Sequence, residues 1–216
     1  MKFLKANCLL VILLVLVTTQ GLADDVKSLL TLVSDQEILD ELKSAPRPYY
    51  DRVQRLRQLY LQAGATEDEM TMQEVKTNDA DESPLHNVIV TKKGATDSVI
   101  VVGGHLDKVD AGDGIIDDWS GACLAANLYQ TIRSLPTKHT IVFIGFAHEE
   151  LGLVGSSLYV KSLPDAAKKK VKAMLNLECL GVDDPFIWTN GSTDSLEVFA
   201  HQVADLHKLP LRDHVI

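Results

Sequence analysis

His105 and Asp107 follow an apolar run (residues 98–102) that ends in Gly103-Gly104, and Asp117-Asp118 close the glycine-rich loop that comes next. Glu149-Glu150 follow a second apolar run (140–147), and Glu178 follows a third (173–177). Imidazole nitrogens and carboxylate oxygens together suit zinc or a similar divalent ion. Apolar runs that each end in acids also fit the rule that open α/β sheets take ligands beyond the carboxyl ends of their strands. His105 can ligate through one ring nitrogen, while its other nitrogen calls for an orienting acceptor, and Asp107 lies two residues away. Asp117, just ahead of a helix start, is placed to bridge two cations, which in co-catalytic sites stand roughly 3.5–4 Å apart. Glu149 and Glu150 are neighbours in an extended or bent segment, so their side chains should diverge. One of them then ligates while the other holds the attacking water as general base.

Taken singly, each feature has a plainer reading. A His-x-Asp is commonly a structural hydrogen bond, Asp117-Asp118 can cap the helix behind them, and a lone Glu-Glu is usually surface. Glu178 is harder to set aside, because a buried acid without a partner is costly. Their coincidence at three strand ends is what points to a site. His148 stands beside the glutamates but lacks the second histidine of the helical His-Glu-x-x-His signature, so it reads as a pocket wall.

These residues need elements to position them. Ser34-Asp35-Gln36-Glu37 is a capping box that starts a helix ending near residue 45. Pro48 opens a second, with Val53, Leu56, Leu59, Tyr60 and Ala63 at helical spacing before Gly64. Residues 65–84 form an acidic surface segment with one edge strand around 70–75. Strands are expected at 88–90 and 98–102, and the Lys-Lys-Gly-Ala-Thr-Asp between them reads as a hairpin connection. Residues 119–135 carry Ala122, Ala125, Ala126, Tyr129 and Ile132 along one helical face. A strand at 141–146, a helix at 152–162, strands at 171–177 and 187–189, and a helix at 195–207 complete the pattern. Alternating strands and helices predict an α/β fold, a three-layer αβα sandwich with a central mixed sheet.

At 216 residues the chain is long enough for one such domain. Lys2 and Lys5, an apolar core at 8–17 and Gly21-Leu22-Ala23 make residues 1–23 a secretory signal peptide, too short to span a bilayer. Three parts follow: the signal (1–23), N-terminal helices with the acidic segment (24–84), and a catalytic domain (85–216). Removing the signal takes away two lysines and no acid, moving the net charge from −9 to −11. An exported chain this acidic is a poor partner for nucleic acid or an anionic membrane, and no membrane anchor remains. The location expected is secreted or periplasmic. Cys123 and Cys179 each sit in an apolar stretch and read as two small buried thiols.

The stretches GGHLDKVD, DDWSG, AHEELGLVGS and LNLECLG, in this order, resemble the secreted zinc aminopeptidases and the related glutamate carboxypeptidases, which share a di-zinc peptidase fold. The resemblance runs from Asn87 to about Gly181. It implies a peptide substrate and two zinc ions in a complete chain. His105 would ligate one zinc with Asp107 behind it, Asp117 would bridge both ions, Glu149 would be the base, and Glu150 would ligate the second zinc. Glu178 stands where the family more often has Asp. The family closes its second zinc site with a histidine in a further segment, and nothing after Gly181 matches it, His201, His207 and His214 included. The resemblance therefore implies a C-terminally incomplete domain, with the final ligand beyond Ile216. An aminopeptidase is the reading chosen. A glutaminyl-cyclase-like acyltransferase working with a single zinc and a truncated, non-catalytic homologue are the alternatives.

Overall fold

The computed structural model describes residues 29–76 and 85–215, so the expected signal peptide and the acidic stretch 78–84 lie outside the described residues. Helix α1 (Asp35–Lys43) starts where Ser34 Oγ accepts the Glu37 amide at 3.1 Å. Helix α2 (Tyr49–Gln62) follows Pro48 and buries Val53, Leu56, Leu59 and Tyr60 on one stripe. Gly64, at a φ of 93°, turns the chain out of it. Strands β1 (Met70–Val75), β2 (Leu85–Lys92), β3 (Val99–His105), β4 (Thr140–Phe146) and β5 (Val171–Asn176) build one five-stranded sheet in the order β1-β2-β4-β3-β5. β4 runs antiparallel to β2 and parallel to β3, and β3 is parallel to β5, so the sheet is mixed as expected.

The order corrects one expectation. The connection from β2 to β3 is not a hairpin, because β4 lies between them. The connecting residues pair with the approach to β4 instead: Ala95 and Thr96 donate to the Thr137 and Lys138 carbonyls, and Thr140 donates to Ser98. A connection whose own backbone groups are satisfied this way has no need to fold its two strands together.

One face of the sheet carries α2 and α3 (Ser120–Ile132), and α1 packs on α3. Buried between sheet and helices, α3 is apolar nearly all round, and Tyr60, Tyr129 and Phe143 meet there with ring centroids 5.6–6.5 Å apart. Rings at such spacing and tilt pack edge to face. The opposite face has a smaller cluster of Ile89, Val101, Val142, Ile144 and Phe146, against which Tyr159 of α4 (Val154–Ser162) rests. Helices thus flank both faces. Beyond the short α5 (Asp165–Lys168) and β5, strands β6 (Phe186–Trp188) and β7 (Arg212–His214) pair as a separate ribbon around α6 (Asp194–His207). β7 has no apolar signal in Arg-Asp-His and was not expected.

Candidate metal centre

Three parallel strands end side by side: β3 at His105, β4 at Phe146 and β5 at Asn176. His105 is 3% exposed, so its ring direction is fixed by packing. Its Nε2 lies 2.9 Å from Asp117 Oδ1, 3.4 Å from Glu178 Oε1 and 3.9 Å from Glu149 Oε2. Asp107 stands behind the ring as expected, its Oδ1 3.4 Å from Nδ1, but that contact falls short of hydrogen-bond geometry. The hydrogen bonds of Asp107 go elsewhere. Its two oxygens accept the Glu149 and Glu150 amides at 2.9 and 3.0 Å. Burial works to raise the Asp107 carboxyl, but the nearby His105 imidazole and then these two amides hold it below its ordinary pKa.

A second buried carboxylate does similar work one strand over. Asp118, fully buried, accepts the His105 amide at 3.0 Å, the Gly121 amide at 3.0 Å and the Cys179 amide at 3.2 Å. It therefore caps α3, the plainer of the readings given to the Asp-Asp pair, and also joins the ends of β3 and β5. Its approach explains two glycines: a Cβ on Gly104 would stand 2.4 Å from Asp118 Oδ2, and one on Gly121 2.5 Å from it. Burial, then repulsion from Glu178, push the pKa of Asp118 well up. Asp117 lies in the wide turn Ile115–Trp119, leaves helical dihedral angles, and points its half-exposed carboxylate at His105.

The turn after β4 differs from expectation. His148 is buried and takes a φ of 55°, and the Gly152 and Leu153 amides close back on the Glu149 carbonyl. In so tight a turn the two glutamates converge instead of diverging. One ligating atom each from His105, Glu149 and Glu150 lies within 4.8 Å of the others, and the same holds for His105, Asp117 and Glu178. Asp117 and Glu150, which the family resemblance pairs as ligands of one ion, fall in different sets that share the single imidazole. Among the described residues, His201, His207 and His214 join neither set, and His201 instead meets Asp213 at 2.6 Å. Glu178 is exposed, so the argument from a buried acid fails for it, and it enters by proximity alone. Cys179 is exposed rather than buried, with its Sγ 3.7 Å from Glu178 Oε1 at the mouth of the site. Loss of part of its water at the mouth of the site, then the acids Asp117, Glu178 and Asp118, push its thiol up to about 12.

The donor set can be tested against a cation. Burial works against a charged imidazole, yet Asp107, Glu178 and Asp118 outweigh it and push the pKa of His105 up to about 11. Burial, followed by neighbouring acids, raises Glu149 and Glu150. Glu150 Oε1 is buried with no hydrogen-bond partner among the described residues. One imidazole nitrogen, several converging carboxylates and an orphaned buried oxygen are a donor set that a divalent ion satisfies.

Residues that the sequence did not single out hold this arrangement. Asn87 on β2 accepts the Ala147 amide and donates to the Gly155 carbonyl, both at 2.9 Å, pinning the two ends of the glutamate turn. Its place inside an apolar strand run was the available signal. Arg52 of α2 donates to the carbonyls of Leu106 and Gly114, around the loop that separates His105 from Asp117.

Comparison with known proteins adds the following. The model of Peptidase family M28 matches residues 87–211. Leucine aminopeptidase 2 of Trichophyton rubrum is 40% identical over 96 residues, which are 44% of this chain and 19% of that protein. BSAP, a zinc aminopeptidase from Bacillus subtilis, superposes with a TM-score of 0.56 at 26% identity, over 61% of this chain and 35% of that one. An Acidobacteriales bacterium glutaminyl cyclase superposes with a TM-score of 0.71 over 83% of this chain and 70% of its own, at 19% identity, a likeness of fold alone. The chain thus spans about a fifth of the length of the curated relatives it matches.

Proposed function

The chain belongs to peptidase family M28, and on that premise we propose that it is a zinc-dependent exopeptidase, an aminopeptidase acting on peptides. The observation that carries the reading is the convergence of Asp117, Glu149 and Glu178 on one buried imidazole at the strand ends. The zinc aminopeptidase among its structural neighbours supports the choice of metal. His105, Asp117, Glu150 and Glu178 are the residues that would hold zinc, and Asp107 keeps the glutamate turn in place behind them. Zinc bound there supplies Lewis acidity and makes a water molecule easier to deprotonate. Glu149, at the edge of the cluster and half-buried, takes the proton of the attacking water and returns it to the leaving amine. Its raised proton affinity, due first to burial, suits a group that must hold that proton in transit.

Residues 1–23 carry the basic start, apolar core and small residues of a secretory leader, so we place the activity outside the cytoplasm. No helix among the described residues is long and apolar enough to cross a membrane. The test is Glu149→Gln, assayed for zinc content and for hydrolysis of aminoacyl amides. Zinc should stay near the parent level while turnover falls roughly 10²–10⁴-fold. Turnover that persists in the variant would remove Glu149 from the role of base.

A further inference from the structure

The loop from Leu106 to Gly114 is the only covalent path between His105 and the turn that carries Asp117, so its span bears on how far apart those two side chains stand. The first turn of α2 grips this loop at several points. The Tyr49 hydroxyl donates to the Lys108 carbonyl. Arg52, fully buried, donates through Nη1 to Leu106 O at 3.0 Å and to Gly114 O at 3.1 Å, and through Nη2 to Asp113 O at 2.5 Å. Its Nε donates to Pro46 O at 2.8 Å, and its guanidinium carbon lies 5.7 Å from the centroid of the Trp119 ring. Outside the helix, Arg47 meets Asp113 at 2.7 Å.

This is an unusual way to bury a charge. Among the described residues no carboxylate lies within ion-pair distance of Arg52, Asp107 and Asp113 favour its charge only from farther off, and its donors end on neutral carbonyls. A buried guanidinium is tolerated only when its fork of donors is satisfied. Here satisfaction requires the first residue of the loop and its last two to sit together within reach of one rigid plane. The glycine at the end of the loop fits the same reading: Gly114 has a φ of 58°, and a Cβ there would lie 2.9 Å from Nη2 and 2.5 Å from Lys108 Cβ.

We propose that Arg52, assisted by Tyr49, is a positioning residue for the metal ligands: it draws the two ends of the 106–114 loop together and so sets the spacing between His105 and Asp117. The clamp comes from outside the stretch that matches the family model, residues 87–211. Its consequence for metal rests on the zinc reading above. Its effect on the loop does not.

The test uses the whole chain, with Co2+ alone as the probe, in the parent, Arg52→Lys and Tyr49→Phe. Lysine keeps the charge but presents a single point of donors, and cannot span Leu106, Asp113 and Gly114 as the fork does. Arg52→Lys should lower Co2+ affinity roughly 10–100-fold, the range typical for partners that orient metal ligands, and should shift the d–d bands of the bound ion. Tyr49→Phe removes one hydroxyl at a partly exposed position. It should retain the parent circular dichroism and melting curve, with a smaller loss of affinity and faster amide exchange confined to 106–114. Should Arg52→Lys fail to fold, Tyr49→Phe carries the test. Parent-like Co2+ affinity and d–d bands in the folded variants overturn the clamp and leave the zinc reading standing. A parent that binds no Co2+ overturns the zinc reading instead. The clamp is then judged by exchange: acceleration limited to 106–114 upholds it, and unchanged protection overturns it.

Discussion

The ends of β3 and β4 are built differently from the end of β5. At the first two, buried polar side chains take hold of backbone: Asp118 grips the His105 amide, Asp107 grips the Glu149 and Glu150 amides, and Asn87 grips both ends of the glutamate turn. At the third, Asp118 and Ser120 hold the backbone only past the acid, through the Cys179 and Leu180 amides, while the Glu178 side chain is exposed and meets the Asn176 amide group at 3.1 Å, the neighbouring Cys179 and His105 Nε2 at 3.4 Å. Side chains attached to pinned backbone keep their places whatever lies between them. An exposed side chain two residues past the end of an edge strand is held by fewer such contacts. The contrast teaches that His105, Glu149 and Glu150 stand on backbone gripped by buried carboxylates, while Glu178 reaches the cluster as an exposed side chain.

Three substitutions press on that contrast. Asp118→Ala should have the largest effect, because it strips acceptors from the buried amides of His105 and Gly121 and from the part-buried amide of Cys179. Each buried donor left bare costs about 1–3 kcal/mol, so unfolding in urea should register a loss of at least ~2 kcal/mol. A loss below ~1 kcal/mol would mean that the pinned ends are not where stability resides. Asn87→Ala comes next: with bonds to Gln73, Ala147 and Gly155 removed, a loss of about 2 kcal/mol is expected, together with faster amide exchange from Ala147 to Gly155. Exchange that stays slow there would show the glutamate turn to be self-supporting. Glu178→Gln should be the mildest for the fold, within about 0.5 kcal/mol of the parent, as is usual for exposed positions. It should nonetheless weaken zinc binding measured by competition with a chromogenic chelator. A variant that unfolds as readily as Asp118→Ala would erase the distinction between the two kinds of strand end.

The same contrast governs what could be read from the residues alone. Helix and strand positions were legible, because burial imposes its period on the chain: the stripe of α2, the apolar β4 and the capping serine all stand where spacing put them. Strand order was not. Two β-branched runs separated by a short polar link look like a hairpin locally, and nothing local announces that residues 140–146 will be inserted between them. The acids at the strand ends were legible as a group, with Asp117 singled out as the ligand, but the grip of Asp118 on the His105 and Cys179 amides was not, since composition cannot tell which backbone a buried carboxylate will face. Arg52 leaves a trace in the sequence. It stands four and seven residues before Leu56 and Leu59, on the buried stripe of α2, where a charge calls for an explanation.

The position of β4 also bears on how this chain comes into being. A polypeptide emerging from the ribosome presents β2 and β3 well before β4, and in the finished sheet neither can rest against the other. Until residue 146 has been made, both carry open edges, of the sort that invites association between nascent chains. A helper that shields those edges would suit a protein whose middle strand is synthesised after both its neighbours.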